Sequence, residues 1–569
     1  MAEAKDTPKA KLLRRWQALT NERSGWITHW QEISQVTLPR NGRFMLSDRN
    51  LGTRRHNRIY DSTATRALRI LAAGMMAGMT SPARPWFRLG PRDTKLRDNE
   101  AVKVWLSDTT RLMLDVFAKS NTYEMLHSCY EELGAFGTFA DLMVQDFDNV
   151  IHHHRMTAGE YALAIDHRGK VNTVFRNFEM QVGPLVEQFE EENCSEYVRA
   201  AYKARRLDEW IEVLHVIEPR AESEREYGDE SAGSMPWRSC YFEAKSTEDK
   251  FLSESGFKVF RVLAPRWAVS GGDIYGNSPA MEALGDINQL QHEQLRKAQV
   301  IDFQTKPPLS APNSLRGQEG SAFLPGGVVF HDATAPHQAV KNLFEVNLDL
   351  GHLLNDIQDV RQRIKEAFYA DLFLMLSSLD NGHQMTATEV AERHEEKLLM
   401  LGPVLERLHN ELLSPLIEMT FGIMLEAGIV PEAPEELKGQ ELEVEFVSML
   451  AQAQRAVGTN SVDRFVSNLG AVAQFKPEVL DRFNQDQWAE DYADQLGINP
   501  KLIVPMEQVE AMRQQRAQQQ QQAMAAEQAK TVAESAAKLG TVNTAQPNAA
   551  ANILNQFSGY SSPAPENVR

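Results

Sequence analysis

The sequence predicts an α+β fold that is mainly helical and built from several structural units. At 569 residues the chain is several times longer than one hydrophobic core can serve, so two to four units are expected. Long stretches repeat apolar residues at helical spacing, most clearly Leu350, Leu353, Leu354, Ile357, Val360, Ile364 and Phe368. Strand-like runs gather between Leu142 and Val216, with helical patterns before and after them. Apolar residues at 42% and charged residues at 24% match ordinary soluble composition, which excludes a wholly disordered or collagen-like chain.

Taken in order, Asp61 can cap a helix from Ser62 to about Met79, and Pro82, Pro85 and the strand-like Trp86–Leu89 end it. Gly74-x-x-x-Gly78 in that helix permits close backbone approach, and Arg66 and Arg69 point to packing within a soluble domain and not a membrane. Leu142–Val150, Val171–Phe178 and Val198–Val216 read as strands, Asp166–Gly169 as a turn, and Ala221–Pro236 as a surface loop. Ser278 as N-cap and Pro279 at the first helical position open a helix to about Gln304. Met281, Leu284, Ile287, Leu290, Leu295, Ala298 and Ile301 hold one half of it; Glu282, Asp286, Gln289, Glu293, Arg296 and Lys297 hold the other.

From Lys306 onward, Pro and Gly punctuate a compact excursion around the strand Val328–Phe330, and the apolar stripe from Leu350 returns as a second long helix. Asp371–Met385 reads as an exposed loop with apolar character. Thr386-x-x-Glu389 is a capping box opening a very long helix through Leu398, Leu405, Leu412 and Ile423, kinked at Pro403 and Pro415 and ended by Gly428 and Pro431. A strand at Leu442–Val447 and shorter helices to about Gly497 follow. Glu507–Leu539, rich in Gln and Ala, reads as a straight helix roughly 50 Å long. Thr541–Arg569 has the composition of a disordered tail, and no internal repeat is present.

The chemistry is sparse. No phosphate-loop pattern occurs, and His292-Glu293 and His394-Glu395 both lack the second histidine of a zinc-protease helix. Gly-x-Ser-x-Gly is absent. Cys129, Cys194 and Cys240 are widely spaced, which points to a reducing compartment and to neither a disulfide framework nor a zinc site. No apolar run is long enough to span a bilayer, and the N-terminus has no signal-peptide core. His152-His153-His154, three neighbours that cannot all face one ion, read as a polar surface turn. Arg361 falls on the apolar stripe of the return helix, so it either pairs with Glu293 or Asp302 of a neighbouring helix or subunit, or snorkels past the packing surface. The formal charge of −18 argues against a chain that grips DNA by neutralising phosphates.

Three separated motifs resemble one known family. Tyr60-Asp61-Ser62-Thr63-Ala64 leading to Leu71–Pro82 and Pro85-Trp86-Phe87, then Tyr275-Gly276-Asn277-Ser278-Pro279-Ala280-Met281, then Met385–Val390 leading to Leu401–Leu408 look like the head-to-tail connector, or portal, proteins of short-tailed bacteriophages. The resemblance runs in order from about Trp16 to Leu425. It implies a portal-type subunit that closes into a ring, typically of twelve copies, at one capsid vertex of the virion. Double-stranded DNA would enter and leave through it without sequence-specific contact.

The resemblance also implies a division of the chain: a wing over residues 1–277 and again 386–450, stem helices at 278–304 and 347–370, a clip at 305–346, a tunnel loop at 371–385, crown or barrel helices at 451–540 and a tail at 541–569. Leu372, Phe373, Leu374, Met375, Leu376, Asn381 and His383 would face the DNA, either as a flexible apolar edge or, for the apolar five, as a core helix end. Glu293, Arg296, Lys297, Asp359 and Arg363 would form the stem's channel face. Lys306, Arg316 and Lys341 would be either clip contacts to motor and tail or solvated charges. Arg361 would lie between subunits. Implied partners are the terminase large subunit, tail adaptor or tube proteins, and capsid and scaffolding proteins, with assembly in the bacterial cytoplasm, no cofactor and no enzymatic activity. Two rival readings remain: a soluble metal-dependent hydrolase or nuclease using the histidine run, and a cytoplasmic helical scaffold.

Overall fold

The computed structural model describes residues 7–45, 52–93, 96, 99–225, 231–312, 327–331, 341–343, 350–378, 401–447, part of 466–488, 504 and 506–540. The chain forms two compact units, Met1–Gly497 and Ile498–Arg569. It is mainly helical with several sheets.

In the larger unit, α1 (Pro8–Val36) and α2 (Thr63–Met79) precede β1 (Phe87–Pro91), α3 (Glu100–Lys119) and α4 (Thr122–Phe136). Strands β2 (Ala140–Asp146), β3 (Val150–Met156), β4 (Tyr161–Ile165) and β5 (Val171–Gln181) follow, then α5 (Val182–Phe189), α6 (Glu196–Lys203) and β6 (Trp210–Pro219). After β7 (Trp237–Glu243), β8 (Ser253–Phe257) and β9 (Val262–Leu263) come α7 (Pro279–Glu282) and α8 (Leu284–Thr305). Among the described residues, three short strands, β10 (Leu309–Pro312), β11 (Val328–His331) and β12 (Lys341–Asn342), lie between α8 and α9 (Leu350–Ala367), which α10 (Ala370–Ser378) follows.

Strands β4 to β8 form a five-stranded antiparallel sheet in sequence order. Both faces are covered: α1 brings Leu12 against Ala162, Phe175, Leu214 and Val216 on one side. On the other side α5 and α6 bring Leu185, Phe189 and Val198 against Ile211 and Val213. That explains why β6 is nearly continuous in apolar residues instead of alternating. The expected strand over Val198–Val216 is therefore corrected. Its first part is α6, because Ser195 accepts from the Val198 N–H as an N-cap and the spacing of Val198 and Ala201 is helical.

The histidine run is corrected too. It lies within β3, and alternation buries His153 between exposed His152 and His154. His153 Nδ1 lies 2.6 Å from Asp141 Oδ2 of β2, and its Nε2 lies 3.1 Å from Thr122 Oγ1 at the start of α4. Both side chains of the His153–Asp141 pair are fully enclosed.

Residues 401–408 are helical and continue through a π turn, His409–Leu413, into α11 (Ser414–Glu426). Pro415 has no N–H for the carbonyl of Glu411, and the widened turn absorbs that mismatch. The Glu411 carboxylate holds buried Arg266, with Oε1 2.7 Å from Nη2. Strand β13 (Leu442–Phe446) returns to pair with β1, Phe87 opposite Phe446. The second unit carries α12 (Met506–Gly540). The capping box at Thr386 and the tail from Thr541 lie outside the described residues. Among the described residues, no helix is long and apolar enough to cross a membrane.

Candidate functional site

The helices bracketing the excursion, α8 and α9, pack on each other, and their contacts run in opposite order: Arg363 reaches Asp286 at 3.5 Å, while Asp356 lies beside Glu293 farther along. The pair is therefore antiparallel. Its base is fixed to the N-terminus of α2 by one carboxylate. Asp61 Oδ1 accepts from the Thr63 N–H at 2.8 Å and the Thr63 hydroxyl at 2.5 Å. Asp61 Oδ2 accepts from Gln294 Nε2 of α8 at 3.0 Å and from Arg361 Nη2 and Nε of α9 at 2.7 and 3.1 Å. The side chain of Gln291 completes the joint, accepting from the N–H groups of Tyr60 and Asp61 and donating to the Asp61 carbonyl. Burial alone would raise the pKa of Asp61. The hydrogen bonds from Thr63 and Arg361 and the Arg361 charge outweigh it and hold the carboxyl below its usual value.

Arg361 is thus paired, and the expected partners are corrected: neither Glu293 nor Asp302 but Asp61 of the same chain neutralises it. Sequence reasoning missed Asp61 because nothing local links residues so far apart. The available signal was an acid directly before a helix, in a chain whose stripe arginine needs a carboxylate.

The other flank of the pair is acidic. Arg363 reaches Asp286 and, at 3.6 Å, Asp359. Glu293 is raised by burial and by the neighbouring Asp356 carboxyl. Arg296 is exposed and donates to Gln299, and Lys297 is half-buried. The apolar stripe of α8 is fully buried at Ile287 and Leu290, with Leu284 and Leu295 partly covered. Farther out, Ile301 is 40% exposed and Leu354 of α9 is 42% exposed.

The segment expected as an exposed loop from Asp371 begins instead as α10. Leu372 and Phe373 are buried, so their assignment to an open channel surface is corrected; they are core residues at a helix end. The reason lies in α2. A Cβ on Gly74 would meet the Phe373 ring at 2.3 Å, so the bare glycine makes the seat into which Phe373 fits. Leu374, 51% exposed, points away from that seat. Met375 and Leu376 continue the helix, while Asn381 and His383 lie outside the described residues. Lys306 follows α8 and is exposed; Lys341 opens β12 opposite Ser310; Arg316 lies outside the described residues.

The Tyr275–Met281 motif is a joint. Tyr275 Oη accepts from the Leu163 N–H and its ring meets Trp30 edge-on. Gly276 passes against Gly137, where a Cβ on either would lie 2.2–2.3 Å from the other's carbonyl oxygen. Ser278 accepts from the Met281 N–H and donates to the Ala135 carbonyl, so α7 is capped and anchored on α4 at once. Among the described residues, no group of three or more His, Cys, Asp or Glu is placed to hold a metal ion.

The arrangement offers a helical hairpin with charged flanks. The family model for the bacteriophage head to tail connecting protein matches residues 9–504. A probable portal protein of Bordetella phage BPP-1 is 58% identical over 557 residues, covering 98% of this chain and 100% of that protein. A portal protein of Salmonella phage epsilon15 is 43% identical over 551 residues, covering 97% and 98%. Among solved structures, a chain of the virion of a native gene transfer agent particle is similar at a TM-score of 0.35 and 11% identity, over 83% of this chain and 99% of that one. A chain from the neck of an empty particle of the same kind gives 0.36 and 13%, over 81% and 96%.

Proposed function

Because this chain belongs to the family of bacteriophage head-to-tail connecting proteins, we propose that it is the portal protein of a phage, a structural and non-enzymatic part of the virion's portal vertex. The observation that carries this reading is similarity at 58% and 43% identity to two portal proteins over almost the whole of each chain. In the finer reading, copies assemble in the host cytoplasm, with capsid and scaffolding proteins, into a closed ring of twelve. Double-stranded DNA then passes through its hole without being read.

Two physical features support that reading. The outer part of the α8/α9 pair leaves Ile301 and Leu354 open, as suits helices that bury their remaining stripe on a neighbour. The charge of −18 suits a conduit that must release its cargo, since negative charge repeated around a ring repels phosphate. In this reading Glu293, Arg296, Lys297, Asp359 and Arg363 lie on the channel side of the stem. Leu374, Met375, Leu376, Asn381 and His383 edge the tunnel. Lys306, Arg316 and Lys341 meet the terminase large subunit and later the tail adaptor or tube. The hydrolase reading is not favoured: the one histidine–carboxylate pair in the run is sealed from substrate.

Imaging of the purified full chain tests the proposal. Annular particles of constant subunit number are expected, and solitary particles at every concentration refute it. Shortening Ser377–Gln384 is expected to leave rings intact while DNA packaging or retention fails; loss of folding instead refutes the tunnel assignment.

A further inference from the structure

Beside the Asp61 joint, a groove of about 580 Å³ opens between α2, α8, α9 and α10, lined by Arg66, Arg361 and Lys365 together with Tyr60, Gln358 and Leu374. Asp61 neutralises Arg361, and Asp371 at the edge accepts from Gln362. Arg66 and Lys365 are exposed and have no ion-pair partner among the described residues, so the groove carries a net positive charge. Leu354, Gln358, Arg361 and Lys365 recur at steps of four, three and four, which sets them on one face of α9.

Asp359, two residues from Arg361, lies about 200° round the same helix. There Asp356, Asp359 and Glu366 join Asp286 and Glu293 of α8 against Arg363, Arg296 and Lys297, so this flank is net negative by two charges. One helical hairpin thus carries opposite charge on its two sides.

We propose that the groove is a socket for a second copy of this chain. The acidic flank of one α8/α9 pair seats head to tail against Arg66 and Lys365 of the next, with Leu354, Tyr60 and Leu374 as the apolar rim. The inference rests on the ring reading above, moves Glu293, Lys297, Asp359 and Arg363 from the channel side to the contact between copies, and names the surfaces that would close the ring. Such a contact uses two different patches, so it repeats from copy to copy and ends only when the rotation closes. Charge complementarity favours protein over DNA as the occupant. Asp61 and Asp371 already offset two of the groove's three cations, and exposed Tyr60 and Leu374 add apolar surface beside them.

The test uses two full-length double variants, Arg66→Glu/Lys365→Glu and Asp356→Lys/Asp359→Lys. Each alone places like charges across the contact and is expected to raise the concentration at which rings form by about tenfold or more. Mixed in equal amounts, the two are expected to form rings again, because every socket then meets a flank of opposite sign when the variants alternate. Recovery on mixing also shows that both chains are folded. If neither variant folds, the milder Arg66→Gln/Lys365→Gln protein replaces them, and its rings are expected to dissociate at lower salt than wild type. Wild-type rings with unchanged assembly of both charge-reversed variants overturn the socket and spare the ring. Absence of wild-type rings overturns the ring reading itself. Unchanged rings with lost affinity for a short blunt DNA duplex make the groove a phosphate contact and refute the proposal.

Discussion

Replacing Gly74 by alanine places a methyl group 2.3 Å from Cδ1 and Cγ of Phe373 and 2.4 Å from its Cβ. Carbon atoms in comfortable contact stand about 3.5–4.0 Å apart, so the pair must separate by more than about 1 Å. Rotating the phenyl ring does not relieve the overlap, because the Cβ that roots the ring is itself too close. Helix α10 must therefore lift from α2. Overpacking of this kind costs about 1–3 kcal/mol, against a gain of about 1 kcal/mol from alanine's better helix propensity, leaving roughly 1–2 kcal/mol of destabilisation.

Gly422 in α11 supplies the control. A Cβ there meets nothing within 4 Å, so Gly422→Ala is expected to stabilise by about 0.4–1 kcal/mol. The two identical substitutions should move urea midpoints in opposite directions at unchanged slope. Amide exchange over Ala370–Ser378 should accelerate in Gly74→Ala and not in Gly422→Ala. Adding Phe373→Ala to Gly74→Ala is expected to cost at least about 1 kcal/mol less than it does alone, since the two residues share one space. Equal midpoint shifts for Gly74→Ala and Gly422→Ala would refute the seat.

Asp61→Asn keeps an acceptor for Thr63 but removes the charge that holds Arg361, and a loss of roughly 2 kcal/mol at neutral pH is expected. The Asp61 carboxyl is held low, so its contribution is present above the unfolded value of about 3.9 and fades as pH falls through the lower folded value; the variant's urea midpoint should change less over that acid range. Glu132 behaves in the opposite sense. Burial pushes its pKa up to about 8, against hydrogen bonds from Thr157 and Asn41, so the folded chain keeps a proton that the unfolded chain releases near pH 4.3. Stability should therefore decline from about pH 4.3 to about pH 8, and Glu132→Gln should flatten that slope in pH-dependent unfolding. Gly137→Ala combines a φ of +72° with a Cβ 2.2 Å from the Gly276 carbonyl oxygen, and it is expected to leave the chain insoluble; soluble protein of wild-type melting temperature would count against the Gly137–Gly276 joint.

Features set by short-range chemistry were legible. The caps, prolines and apolar spacing around α2, Ser278–Pro279 and α9 depend on residues within a few positions of one another, and the elements lie where that chemistry puts them. What escaped depends on partners remote in the chain. Val198 and Ala201 suit a strand as well as a helix until Glu243 of β7 binds Ser195 and fixes the cap. His153 looks like its neighbours until Asp141 and Thr122 enclose it. The apolar run at Leu372 reads as an open edge until Gly74 makes room for Phe373. The Gly74-x-x-x-Gly78 spacing announced close approach at one helix, and only the fold supplied the partner.

Helix α2 meets the α8/α9 pair and α10 at separate points. Its N-terminus is tied to α8 and α9 through Asp61, and its middle receives α10 at Gly74. Toward its other end, Thr80 and Tyr130 share a hydrogen bond at 3.1 Å that fixes the chain to α4. A push on α9 therefore bears on the same rod that seats Phe373, because packed helices transmit strain and do not absorb it. In the proposed ring, which would hold an opening of set size, a paired carboxylate and a missing methyl group would set the helices around it. Asp61→Asn loosens α2 from α8 and α9, and Gly74→Ala lifts α10 from α2. If α2 is one rigid link, both substitutions should raise exchange in α10, whereas neither should raise it in the β4–β8 sheet, which has its own cores on both faces.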